Sequence, residues 1–208
     1  MNLLDRNSNA AIILAGILAL IVGVGVGRFA FTSLLPSMLD DFLSVSFAGY
    51  LASVNYVGYL SGAIFAVFIK DINSKVKYFR IGMFLCVITT IILGTTQNEF
   101  LWMLSRIVCG FGAAMALVVG SALVMTKLKM DSKTKAMGIH FSGIGFSILV
   151  CDLIVRAIFA SDGSWEDSWI ALTIFAFFGT LYSVYILSFD KEVKNMDQLL
   201  DVAAQICD

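Results

Sequence analysis

Four ionisable residues, Arg28, Arg106, Asp152 and Arg156, sit within or at the edges of stretches that are otherwise almost wholly apolar. A guanidinium carries five donors in a fixed fork and grips a carboxylate or phosphate through two parallel hydrogen bonds. Two chemistries follow. Arg28 and Arg106 can hold an anionic solute, or one of them can pair with Asp152 and lock the structure. Arg156, four residues after Asp152, can pair with it along a helix or reach toward water. Asn55 supplies a neutral donor and acceptor. The only histidine, His140, can relay protons, the plainer alternative being a structural role.

The segment IVGVGVGRFAFTSLLP at 21–36 poses a further question, because Gly25-x-Gly27-x-x-Ala30 has the spacing of a dinucleotide-binding loop. That loop must follow a strand, open a helix in water and meet an acid about 20 residues on. Here the glycines lie inside an uncharged run, and the next acids are Asp40 and Asp41. The nucleotide reading fails. No nucleophile–base pair and no cluster of metal ligands is apparent, so an enzyme is the least favoured class. The sequence points to no cofactor, no metal and no nucleic-acid partner. Cys86, Cys109 and Cys151 read as small apolar packing residues, without a disulfide.

The elements that carry these residues are membrane spans. The chain has 208 residues, 59% apolar and 14% charged, against roughly 25% charged in an ordinary soluble domain. Uncharged runs occupy 7–27, 42–69, 81–98, 107–126, 136–151 and 168–189. A helix needs about 20 residues to cross a hydrocarbon core of about 30 Å. The expectation is an all-α integral membrane bundle of six transmembrane helices, at about 11–38, 47–69, 79–97, 100–126, 136–160 and 168–189. Residues 1–10 form a short N-terminus. The first run reads as a signal anchor, because Arg28 stands where cleavage would start and no A-x-A site is present.

Loop charges give an orientation. KDINSKVKYFR at 70–80 and KLKMDSKTK at 127–135 each hold four basic residues and one acid, whereas DD at 40–41 and SDGSWEDS at 161–168 are acidic. Positive loops stay in the cytoplasm, so both termini are expected inside, in a bacterial inner membrane. Trp102, Trp165 and Trp169 fall at the opposite, outer ends, as an aromatic belt would. At about 1.5 Å per residue, Arg28, Asn55 and Asp152 lie about 12 Å, and Arg106 about 8 Å, below that outer edge. Four polar groups from four spans thus share one layer. His140 lies toward the cytoplasmic end.

Little hydrophobic force acts between helices in lipid, so close packing must associate them. Gly23-x-x-x-Gly27, Gly58-x-x-x-Gly62 and Gly112-x-x-x-Ala116-x-x-x-Gly120 offer the small residues for it, and Gly138, Gly143 and Gly145 crowd the fifth span. The tail at 190–208 holds five acids and two lysines with apolar residues at helical spacing, reading as an amphipathic cytoplasmic helix or a loosely ordered tail.

These residues carry a family resemblance. LWMLSRIVCGFGAAMALVVG, with Arg106, Gly110 and Gly112, resembles the R-x-x-x-G-x-G pattern of the major facilitator superfamily. GVGRFAFTSLLPSM at 25–38, AGYLASVNYVGYLSGA at 48–63 and MGIHFSGIGFS at 137–147 are similar to its YbfB/YjiJ-type branch. The resemblance spans about 10–190. It implies secondary transport by alternating access around a cavity lined by the first and fourth helices, with Arg28, Asn55, Arg106 and His140 in the branch's recurrent segments. Two departures stand out: the loop motif between the second and third spans is degraded, and the fifth span lacks the usual proline. Family members have two six-helix halves, so this chain resembles the N-terminal one. Its expected partners are the bilayer, a small solute that is anionic if the arginines bind it, and a C-terminal half or a second copy. The rival is a non-transporting bundle, an assembly partner or an inactive half.

Overall fold

The structure, a computed structural model, describes residues 4–128 and 133–188. The tail at 190–208 lies outside the described residues. Six helices are long and apolar enough to cross a membrane: Asn9–Asp41, Val45–Val67, Ile72–Thr95, Glu99–Lys127, Lys133–Ala160 and Trp165–Ile186. Among the described residues there is no strand. Side-chain caps fix the starts of four of them. Ser44, Asp71, Asn98 and Ser164 accept hydrogen bonds from the backbone N–H groups of Phe47, Ser74, Leu101 and Asp167, satisfying donors the helix leaves orphaned. At Ser164 the Asp167 carboxylate returns the bond, which completes a capping box.

The first and fourth helices form the centre, with about 70% of each span's most apolar stretch buried. Both contain a π-helical segment, Ile21–Phe29 in the first and Met115–Val119 in the fourth. They touch there so closely that a methyl carbon on Gly23 would lie 2.4 Å from the Ala116 Cβ. The second helix packs on the fourth backbone to backbone: a methyl on Gly58 would lie 2.0 Å from the Ile107 carbonyl oxygen, and one on Gly110 2.1 Å from that of Asn55. Gly82 and Gly112 join the third helix to the fourth in the same way. In the fifth helix only Gly143 is packed, against Ile17, while Gly138 and Gly145 meet nothing within 4 Å. The second and fifth helices are the least covered, at 28% and 22%.

The tryptophans do not form a lipid-facing belt. Trp102, Trp165 and Trp169 are at most 5% exposed. Trp102 and Trp165 pack against Phe42 at centroid distances of 5.3 and 5.1 Å and against each other at 6.0 Å, and Trp165 Nε1 donates to Asp41 Oδ2 at 2.9 Å. Sequence position sets the depth of a ring but not the side of the helix it leaves from. Here the rings point inward and plug the bundle at that end.

Candidate functional site

The central polar site is built where the first helix widens into its π segment. Gly27 lies near the end of that segment, and three side chains converge on its carbonyl oxygen. Arg106 Nη1 donates to it at 3.0 Å, Asn55 Nδ2 approaches at 3.5 Å and Cys109 Sγ at 3.5 Å. Asn55 also donates to the Arg106 carbonyl at 2.8 Å, which ties the second helix to the fourth. Asn55 and Arg106 are each 2% exposed, and the Arg106 guanidinium lies over the Phe31 ring at 4.8 Å. Its Nε has no hydrogen-bond partner among the described residues. Arg106 is therefore a buried cation held by one carbonyl and one aromatic face.

Arg28 differs. It follows the carbonyl hub by one residue, is half-buried, and packs its guanidinium over Tyr56 at 4.5 Å and Tyr59 at 5.0 Å from the ring centroids. Its guanidinium makes no hydrogen bond or ion pair to the described residues. Its donors remain available toward a small cavity of about 60 Å³, lined by Arg28, Phe31, Thr32, Asn55, Tyr56 and Arg106 among others. Among the described residues no carboxylate lines it. Pro36 stands four residues after Thr32 and has no N–H, so the helical donor for the Thr32 carbonyl is missing beside the cavity. A drug-sized ligand needs about 300 Å³ or more. This volume takes a few waters or the anionic head of a larger molecule.

The structure thus brings together Arg28, Asn55 and Arg106, from three helices. It does not bring in Asp152. That carboxylate accepts from Arg156 Nε at 2.6 Å along the fifth helix, and the two side chains are 37% and 75% exposed. The alternative in which Asp152 pairs with Arg28 or Arg106 is not seen, since its carboxylate is taken by the arginine at i+4 on its own helix. His140 lies elsewhere. It is fully buried, Nε2 is 2.9 Å from Ser121 Oγ, and Nδ1 has no partner among the described residues. Its ring abuts Gly16, where a methyl would lie 2.5 Å from Nδ1. Gly16 precedes Arg28 by twelve residues, which is about 18 Å of helix.

Tyr56, Tyr59 and Phe31, which hold the two guanidiniums, were not singled out from the sequence. A signal existed: Tyr59 is four residues after Asn55 and Phe31 three after Arg28, each on a shared helical face.

The family described as uncharacterised MFS-type transporter YbfB matches residues 20–204, most of the chain. No curated protein matches the sequence.

Proposed function

The chain belongs to the MFS-type (major facilitator superfamily) transporter family described for YbfB, and on that premise we propose that it moves a small anionic solute by alternating access. Arg28 is the residue that grips the solute. Its fork is oriented by Tyr56 and Tyr59, is not consumed by any acceptor among the described residues, and opens on a cavity with no carboxylate among the described residues lining it. That observation carries the reading. Asn55 and the Thr32 segment add neutral groups, and Arg106, which also lines the cavity, contributes positive potential. His140, buried with an unpartnered Nδ1, is the group proposed to take up a coupled proton. The orientation proposed from loop charge puts both termini in the cytoplasm of a bacterial inner membrane.

The chain acts in this reading as the N-terminal half of a two-part transporter. The poorly covered second and fifth helices, the unfilled Gly138 and Gly145, and the outward Asp152–Arg156 pair support a second six-helix bundle or a second copy packed there. Asp152 would then line the path between the bundles. The test is uptake of an organic-anion panel by vesicles holding the chain with and without a co-expressed C-terminal half. Uptake that needs Arg28 is the expected result. No flux for any anion in either vesicle set would refute it.

One observation favours the rival, a bundle without transport. Arg106 is buried and bonded to the Gly27 carbonyl across two helices, with the Phe31 ring on its face, which is what a structural clamp looks like. Under that reading Arg28→Ala and Arg106→Ala both lower the folded yield and neither alters a measurable flux.

A further inference from the structure

The neutral groups beside Arg28 narrow the chemistry of the solute. Asn55 and Thr32 line the cavity together with Arg28 and Arg106. Asn55 Nδ2 donates to the Arg106 carbonyl at 2.8 Å and approaches the Gly27 carbonyl at 3.5 Å. Both partners accept only, so they fix which end of the amide is which and leave Oδ1 as an acceptor. No described residue donates to Oδ1, and it is not sealed from open space as Arg106 Nε is. Thr32 comes four residues after Arg28, is exposed, and has a hydroxyl that makes no hydrogen bond among the described residues. One uncommitted guanidinium fork, one amide acceptor and one hydroxyl therefore share the cavity. Arg106 adds positive charge but fewer donors, since Nη1 serves Gly27 and Nε is sealed. The cavity volume is about 60 Å³. A water-sized group needs about 10–15 Å³, so about four to six non-hydrogen atoms fit. A carboxylate, the next carbon and one substituent on that carbon have this size.

Resting on the reading of Arg28 as the residue that grips the anion, we infer that the solute is an α-hydroxy carboxylate. Its carboxylate sits on the Arg28 fork, and its hydroxyl donates to Asn55 Oδ1 and accepts from Thr32 Oγ1. Other substituents at that carbon fail for physical reasons. An ammonium would enter a cavity lined by two guanidiniums and, among the described residues, no carboxylate. A keto oxygen would set acceptor against acceptor at Oδ1. A plain methylene would cover Oδ1 without giving it a donor, which costs the desolvation of that oxygen. Inorganic phosphate has the right size, but the oxygens left over from the fork would face Oδ1 and the Thr32 carbonyl with too few hydrogens to satisfy them. The remainder of a larger hydroxy acid would leave past Tyr56, whose side is open at 58% exposure.

The test titrates the purified full chain in nanodiscs with lactate, propionate, pyruvate, alanine and inorganic phosphate at fixed ionic strength, and reads Kd by isothermal titration calorimetry. Each lost hydrogen bond is worth about fivefold, so propionate and pyruvate are expected to bind about five- to tenfold more weakly than lactate. Alanine and phosphate are also expected to bind more weakly than lactate. Thr32→Val keeps the side-chain shape and is expected to weaken lactate about fivefold while leaving propionate unchanged. Arg28→Gln is expected to remove binding of every acid while melting near the parent. Equal binding of lactate and propionate that still requires Arg28 overturns the hydroxy-acid class and leaves the anion reading standing. Alanine or phosphate at the affinity of lactate does the same. A lactate preference that survives Thr32→Val intact overturns the placement of the hydroxyl. Absence of binding by every acid overturns this inference and the anion reading together.

Discussion

Placing a single methyl group at Gly58 or Gly110 tests how the site is assembled. The added carbon would lie 2.0 Å from the Ile107 carbonyl oxygen in Gly58→Ala, and 2.1 Å from the Asn55 carbonyl oxygen in Gly110→Ala. Both obstacles are backbone, so no side chain can swing aside. The helices must part by about 1 Å before the contact reaches even 3.0 Å. Forced overpacking costs about 1–3 kcal/mol. The same retreat carries the Asn55 Nδ2 to Arg106 carbonyl bond from 2.8 Å beyond hydrogen-bond range, at a further cost of about 1 kcal/mol. The sum, about 2–4 kcal/mol, corresponds to a Tm lower by roughly 5–15 °C for a chain of this size. Gly145→Ala is the control. Nothing lies within 4 Å of its added carbon, and alanine favours a helix by up to about 1 kcal/mol over glycine. Thermal melts of the purified full chain, followed by far-ultraviolet circular dichroism, separate the variants. Equal Tm values for Gly58→Ala, Gly110→Ala and Gly145→Ala would refute the backbone-contact account.

Arg28→Ala loses two aromatic contacts of about 0.5–1 kcal/mol each and should melt within a few degrees of the parent while abolishing uptake. Arg106→Ala loses a charge-assisted bond of about 1.5–3 kcal/mol and should melt clearly lower, in the same melting assay. At Asp71, the hydrogen bonds from Ser74 hold the carboxyl below its ordinary value. A lowered folded-state pKa gives stability that is present above the unfolded value, near 3.8, and lost as pH falls through the folded one. Asp71→Ala should cost about 1 kcal/mol at neutral pH, with the gap closing below about pH 4, whereas Asp71→Asn keeps the cap and removes the pH dependence. Melts at neutral and acid pH check both. Trp165→Phe keeps the aromatic stack but removes the donor to Asp41, and should lower the melting midpoint by about 1 kcal/mol equivalent.

The six helices and their all-α character were legible because uncharged runs of membrane length leave one secondary structure that satisfies its own backbone. The convergence of Arg28, Asn55 and Arg106 was legible from depth alone, since residues at one depth on adjacent spans have a fair chance of meeting. Asp152 exposes the weakness of that argument. Depth does not give azimuth, and an arginine at i+4 on its own helix satisfied the carboxylate first. The inward turn of the tryptophans has the same cause. The π segments were not legible. The glycines at 23, 25 and 27 announced close packing, but a widened turn places the Gly27 carbonyl where three side chains reach it, and no sequence period encodes that.

The two arginines divide the work by their distance from backbone acceptors. A buried guanidinium is tolerable only when its donors are met. Arg106 meets this condition only in part, through Gly27 and the Phe31 face with Nε left without a partner among the described residues, and it ties the first helix to the fourth while lining the cavity. Arg28 is one residue from the same carbonyl and lines the same cavity, but its guanidinium lies on tyrosine faces that attract a cation without consuming its hydrogen bonds. A charge held by rings alone keeps its hydrogen-bond donors unspent. An aromatic cradle on the second helix therefore leaves the Arg28 donors toward the cavity, while Arg106 ties the first helix to the fourth beside it.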